Sequence, residues 1–185
     1  MTRIKRRGSQ LKVTMGEYEA SILDSLAEQL IELLEADQLA HPAEDPFARW
    51  EAELVGESEL DTSDPVIARL FPAAYRDDPA AEADFRRYTQ TTERRTKIAQ
   101  ARLVRDALAE SDLGRSPVLI RLIDSDAWLK TINGLRLSLG VRLGVESADD
   151  LEELEALPED DPRHYVLSIF NWLGGLLESL IDVLD

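Results

Sequence analysis

The sequence has no cysteine among its 185 residues, and histidine occurs only at His41 and His164. The first absence excludes disulfides, thiol catalysis, thiol redox sensing and zinc–thiolate sites. The two histidines are isolated and have no second ligand at metal-binding spacing. A phosphate-binding glycine loop and a nucleophile elbow are also missing from the sequence. We therefore expect no metal, no cofactor and no catalytic residues, and a protein that is not an enzyme.

Long apolar runs are a second absence. No run approaches the roughly 18 residues that a membrane span needs. The basic start of the chain is not followed by the apolar core of a secretory signal. We therefore expect a cytoplasmic protein without a membrane partner.

Basic residues are also scarce. The sequence has 21 Lys and Arg against 37 Asp and Glu, which gives a formal net charge of −16. This charge argues against nucleic-acid binding by the surface as a whole. The basic residues that exist are clustered, in the segment Arg3–Arg7 and again between residues 86 and 105. The Arg3–Arg7 arm could follow phosphates, although such arms are more often disordered or folded onto acidic surface.

Hydrophobic spacing predicts the secondary structure. Alternation over residues 10–15 and 118–122 is typical of half-buried strands. Helical spacing and Asp-Pro starts predict helices over residues 17–36, 64–70, 78–109, 125–144 and 162–184, and a short one around Phe47–Val55. The expected fold class is α+β and mostly α: a bundle of about five helices with a small two-stranded antiparallel ribbon.

The chain is expected to form a single domain over residues 1–185. Residues 1–9 are interpreted as a basic arm. Residues 37–63 and 146–162 are acidic and flanked by prolines, so we interpret them as connections and as the places where mobility is expected.

The candidate site is the segment from Trp128 to Leu143, which places arginine on an apolar helix face. Arg136 falls within the apolar arc, with Arg142 at one edge and Asn133 beyond the other. A guanidinium in such a position must be paired, so one reading is a pocket for a carboxylate or phosphate. The alternative, favoured by the excess of acidic residues, is an internal ion pair that fixes helix packing.

Two surfaces are candidates for partner binding. The basic helix carries Arg94, Arg95 and Lys97, which could face an acidic partner or could instead neutralise the acidic body of the same molecule. The last helix has a wide apolar face with Trp172 displaced from the main stripe. That face is either a partner or dimer surface or a central core helix.

Four motifs in order resemble the DUF2017 family of actinobacteria. They are Tyr75-Arg-Asp-Asp78, Asp84-Phe-Arg-Arg87, the segment from Trp128 through Asn133-Gly to Gly144, and Asn171-Trp-Leu173 followed by Leu177-Glu-Ser. The resemblance spans nearly the whole chain, and the basic segment before the first strand is part of it.

The resemblance implies no activity, because the family is defined by having no assigned function. It implies a link to transcription regulation under oxidative stress, and to genes that neighbour that of the Clp protease adaptor. A redox role in the family rests on cysteines, which this chain lacks. The family's recurring polar positions correspond here to Tyr75, Arg86, Asn133, Arg136 and Arg142.

These observations favour a non-enzymatic cytoplasmic regulator that binds another protein, whose identity the sequence does not give, and that forms a homodimer. The alternative is a sensor that holds a small anion with Arg136 and Arg142.

Overall fold

The computed structural model describes residues 2–39, 63–158 and 160–185, with side chains described outside residues 37–39. The strands are β1 (Arg3–Arg7), β2 (Gln10–Thr14) and β3 (Val118–Arg121). The helices in these ranges are α1 (Glu17–Leu39), α2 (Pro65–Leu70), α3 (Pro79–Glu110), α4 (Ser125–Leu143), α5 (Ala148–Glu155) and α6 (Pro162–Leu184). A 3-10 turn, Leu122–Asp124, joins β3 to α4. The predicted class, α+β with mostly helix, is confirmed.

The sheet has three antiparallel strands in the order β1-β2-β3, so the predicted two-stranded ribbon is one strand short. The expected basic arm is in fact strand β1, with Arg3 opposite Thr14 and Arg7 opposite Gln10. A two-residue turn joins β1 to β2, and Gly8 adopts a φ of +61° there. Glycine suits such hairpin turns because positive φ costs it little. The strand is at an edge of the sheet and contributes only Ile4 to the core.

Aspartate caps begin three of the helices. Asp64, Asp78 and Asp161 each accept backbone N–H groups of the first turn, and proline follows each of them. Asp124 occupies the same position before α4, but it makes no cap bond and pairs instead with Arg121. Helix α4 therefore begins without a side-chain cap bond from Asp124.

Helix α4 lies at the centre of the fold, where it packs against α6, α3, α2 and α1. Its apolar stripe includes Trp128, Ile132, Leu135 and Leu139, all buried. Gly144 ends the helix in the left-handed conformation, with a φ of +74°. The fold thus places the arginine-bearing helix where its apolar arc meets several neighbours.

The acidic connections have different outcomes. Residues 146–162, interpreted as a mobile connection, contain helix α5, which begins with a capping box between Ser147 and Asp150. Leu154 anchors α5 in the core. Most of the connection 37–63, with the predicted helix around Phe47–Val55, lies outside the described residues.

Within the described ranges, α6 is the one helix long and apolar enough to cross a membrane by length and composition alone. This result is contrary to the expectation that no segment reaches that length. Core helices of other proteins meet the same test. Leu167, Phe170, Leu173, Leu176 and Leu180 form the buried side of α6, which packs on α4 and β1.

Candidate functional site

Arg136 faces helix α6. Its guanidinium carbon lies 4.5 Å from the centroid of the Phe170 ring, at cation–π distance. Gly174, one turn further along α6, leaves the room that the guanidinium occupies, since a Cβ at Gly174 would lie 3.3 Å from Nε of Arg136. The Nε atom is buried and has no hydrogen-bond partner within the described part of the chain. Among residues 2–39, 63–158 and 160–185, the guanidinium of Arg136 therefore contacts an aromatic ring and a glycine and forms no ion pair with a carboxylate.

The residues predicted to accompany Arg136 do not meet it. Arg142 is exposed and lies on the groove between α4 and α1, beside Leu26 and Leu139. Asn133 is exposed on α4. The predicted three-residue anion pocket is thus not assembled, and the predicted internal ion pair of Arg136 is absent from the described residues.

Tyr75 and Arg86 do come together, at a separate corner between α2 and α3. Glu82 joins them: it accepts the backbone N–H of Tyr75 at 2.9 Å and forms an ion pair with Arg86. Arg86 also donates to the carbonyl of Phe71, and the Tyr75 ring meets Phe85 edge-on at 5.8 Å. The backbone N–H of Tyr75, followed by Arg86, lowers the pKa of Glu82. These contacts fix the start of α3.

Much of the basic charge of α3 is used within the molecule. Arg105 binds Asp24 at 2.8 Å and Glu28 at 3.0 Å, and Arg102 binds Glu35 at 2.6 Å, all on α1. Hydrogen bonding to Asp24 raises the pKa of Arg105. Two of the seven basic residues between positions 86 and 105 therefore hold the acidic helix α1.

The predicted partner residues of α3 differ in accessibility. Arg94 is buried, with 1% of its surface exposed, so it offers no free surface to a partner. Lys97 lies 5.4 Å from the centroid of the Phe71 ring, and burial lowers its pKa. Arg95 alone of the three is exposed.

An exposed patch remains on α3, formed by Arg87, Tyr88 and Arg95, which we call the α3 patch. Tyr88 is 77% exposed. Neither arginine forms an ion pair among the described residues. The signal that could have identified the patch is the spacing of Tyr88 and Arg95, about two turns apart on one side of a helix whose core stripe begins later, at Gln90 and Ile98.

Trp172, the predicted partner residue of α6, is partly buried against the sheet. Its ring N–H donates to Thr2 Oγ1 at 3.5 Å, and Thr2 donates to Glu19 at 3.1 Å. Nearby, the hydroxyls of Tyr18 and Tyr165 are 2.8 Å apart, which raises the pKa of Tyr18. These contacts tie α6 to β1 and α1, so the inner side of α6 is a core surface.

No group of three His, Asp or Glu residues that could hold a metal occurs in the described ranges.

Comparison with known proteins places these features in a family. The chain is 28% identical to the oxidative stress regulator AosR of Mycobacterium tuberculosis over 190 residues, which cover 97% of this chain and 84% of that protein. The same figures hold for the protein of that name from Mycobacterium bovis. A putative oxidative stress regulator AosR of Mycobacterium leprae is 26% identical over 191 residues, covering 94% and 82%. No solved structure gives a significant match.

The family model described as a domain of unknown function, DUF2017, matches residues 1–184. The resemblance inferred from the four motifs is thereby confirmed, and the chain belongs to the DUF2017 family.

Proposed function

We propose that this chain is a cytoplasmic, non-enzymatic regulator of the oxidative stress response, and that it acts by binding another protein through the α3 patch. The observation that carries the proposal is the similarity over nearly the whole chain to proteins named oxidative stress regulators. A regulator without its own chemistry must act through contacts, and the α3 patch offers residue types that protein interfaces favour.

In this proposal, a different molecule senses the oxidant and passes the signal to this chain. Without cysteine, the chain has no thiol to oxidise. Of its two methionines, Met15 is only 5% exposed, and Met1 is outside the described residues. The proposed role is therefore that of a component whose binding is controlled by, or controls, a separate sensor.

The α3 patch is the best-supported binding surface on α3 because the other cations of that helix are occupied. Tyrosine supplies a large contact area at low entropic cost, and arginine supplies several donors. The exposed ring of Tyr88 between Arg87 and Arg95 has this combination.

The test uses a strain that lacks the gene, complemented with the wild type or with the double variant Tyr88→Ala, Arg95→Glu. After oxidant treatment, we expect the wild type to restore survival and the transcript response, and the double variant to fail. Cross-linking and affinity purification from the same cells should recover a defined protein with the wild type and not with the variant.

The control is Arg69→Glu, which reverses the charge of one exposed arginine outside the α3 patch. It should behave as the wild type in both measurements. A normal oxidant response in the strain without the gene would contradict the regulatory role, and full rescue by the α3 double variant would contradict the surface.

We also propose a homodimer. Sedimentation velocity of the purified full chain tests it, with a single monomeric species at micromolar concentration as the contradicting result.

A further inference from the structure

The outer face of the three-stranded sheet is strongly basic. In an antiparallel sheet, residues opposite each other point to the same side. Leu11, Val13 and Ile120 are fully buried, which defines the inner side. The register then places the alternate positions on the outer face, namely Arg3, Lys5, Arg7, Gln10, Lys12, Thr14, Leu119 and Arg121. We call this surface the basic sheet face.

No carboxylate on the strands neutralises this face. Arg121 pairs with Asp124 beside the sheet. Arg3, Lys5, Arg7 and Lys12 form no ion pair with any residue in the described ranges. Arg102 and Arg105 of α3, by contrast, bind acids of α1.

The register itself is unfavourable in the isolated molecule. Lys5 lies directly opposite Lys12. Like charges at such positions repel and destabilise a sheet. An anion bound across the two strands would remove this cost.

A shallow depression of about 390 Å³ lies on the same face, lined by Arg7, Gln10, Lys12, Ser116, Pro117 and Leu119. Leu119, which is 53% exposed, is the apolar residue of the face, and no aromatic residue accompanies it. Protein interfaces are organised around aromatic and apolar anchors, whereas phosphate backbones are held mainly by cations and small polar groups.

We propose that the basic sheet face binds the phosphate backbone of double-stranded nucleic acid. A strand advances about 3.4 Å per residue, so the cations on every second residue of β1 recur at about twice the axial spacing of phosphates in one strand of a duplex. The absence of aromatic residues from the face points to backbone contact without base stacking, and so to binding with little sequence preference. The proposal goes beyond the protein-binding role and does not depend on it.

Salt screening allows an anion to bind the basic sheet face although the protein as a whole is acidic. At physiological salt the Debye length is about 8 Å, so acids on the far side of the molecule act weakly on a ligand at the sheet. Four phosphate contacts would give a slope of about −3.6 for the logarithm of the binding constant against the logarithm of the salt concentration. The binding constant would then fall about 100-fold between 50 and 200 mM salt.

The experiment measures fluorescence anisotropy of a labelled 20-base-pair duplex of arbitrary sequence with the full chain, over a salt series. The variant Lys5→Gln, Lys12→Gln should weaken binding at 50 mM salt at least tenfold and make the salt slope shallower by about 2. Its melting temperature should be equal to or above that of the wild type, because a cross-strand repulsion is removed. A loss of binding therefore cannot be ascribed to unfolding.

The matched control, Arg69→Gln, Arg76→Gln, removes the same charge from two exposed arginines away from the sheet. It should bind the duplex within twofold of the wild type. Three results would overturn the proposal: no binding by the wild type at 50 mM salt, an equal loss in the control, or self-association of the wild type that the Lys5, Lys12 variant abolishes. The last result would assign the face to the acidic surface of a second copy. The α3 double variant should keep duplex binding, so this proposal and the protein-binding role can fail separately.

Discussion

The guanidinium of Arg136 stacks on the ring of Phe170, with its central carbon 4.5 Å from the ring centroid. This contact joins the central helix α4 to α6 without a carboxylate. A cation over a ring contributes about 0.5–2 kcal/mol, depending on how well water is excluded. The site that the sequence suggested for anion binding is therefore a packing contact between two helices.

A double-mutant cycle between Arg136→Met and Phe170→Leu tests this contact. Phe170→Leu alone should cost stability through the cavity it leaves. Arg136→Met should cost less than about 1 kcal/mol, because the thioether keeps contact with the ring and no ion pair with a described residue is broken. We expect a coupling energy of about 0.5–2 kcal/mol from urea denaturation.

The opposite outcome is equally clear. If Arg136→Met alone destabilises the protein by about 3–5 kcal/mol, the substitution has left a buried carboxylate unpaired. That result would show that Arg136 forms an ion pair in the wild type.

The adjacent glycines Gly174 and Gly175 should respond differently to alanine. A Cβ at Gly174 would lie 3.3 Å from Arg136 Nε, whereas nothing lies within 4 Å of one at Gly175. Alanine is favoured over glycine within a helix by about 1 kcal/mol. Gly175→Ala should therefore raise the midpoint of thermal unfolding, and Gly174→Ala should lower it or leave it unchanged.

Removal of the arginine side chain provides the control. In an Arg136→Ala background, Gly174→Ala should become stabilising like Gly175→Ala. Equal effects of the two alanines in the wild-type background would show that Gly174 is not reserved for the guanidinium.

The helices and their starts could be predicted because their signals are local. The Asp-Pro pairs at Asp64, Asp78 and Asp161 and the apolar spacing of α1, α4 and α6 depend on residues a few positions apart. Strand β1 could not be found in this way, because this edge strand has only one inward apolar residue, Ile4, and shows no alternation of apolar residues. The turn at Gly8-Ser9 before the predicted strand was the available signal.

The partner of Arg136 could not be predicted for a different reason. The excess of acids makes a carboxylate the statistical expectation, but the partner depends on which residues of α6 the tertiary packing brings to α4. The same applies to Arg94 and Arg95, which are adjacent in sequence and differ in burial because they lie about 100° apart around α3.

Charge reversal should lower the stability of the fold at Arg94 and leave it nearly unchanged at Arg95. Arg94→Glu places a carboxylate in a site that is 1% exposed and should cost several kcal/mol of stability. Arg95→Glu lies on the surface and should change stability by less than about 0.5 kcal/mol. Circular dichroism melts of both variants provide the measurement. An unchanged melting temperature for Arg94→Glu would contradict its buried position.

The N-cap of α6 should contribute to the acid sensitivity of the fold. Hydrogen bonding to Arg163 lowers the pKa of Asp161 from 3.8 to about 2. Because the folded pKa lies below the unfolded one, this contribution is fully present above pH 3.8 and is lost as the pH falls toward about 2. The variant Asp161→Asn, which keeps a capping side chain, should therefore show a smaller drop in melting temperature than the wild type across that range.

The neighbouring exposed carboxylate Asp160 provides the matched control. Asp160→Asn should follow the wild-type dependence of melting temperature on pH, because among the described residues its carboxylate makes no hydrogen bond. The measurement is a series of thermal melts from pH 5 to pH 2 at constant ionic strength. Parallel curves for the wild type and Asp161→Asn would mean that the Asp161–Arg163 contact, 2.8 Å between Oδ2 and Nη2, does not persist in solution.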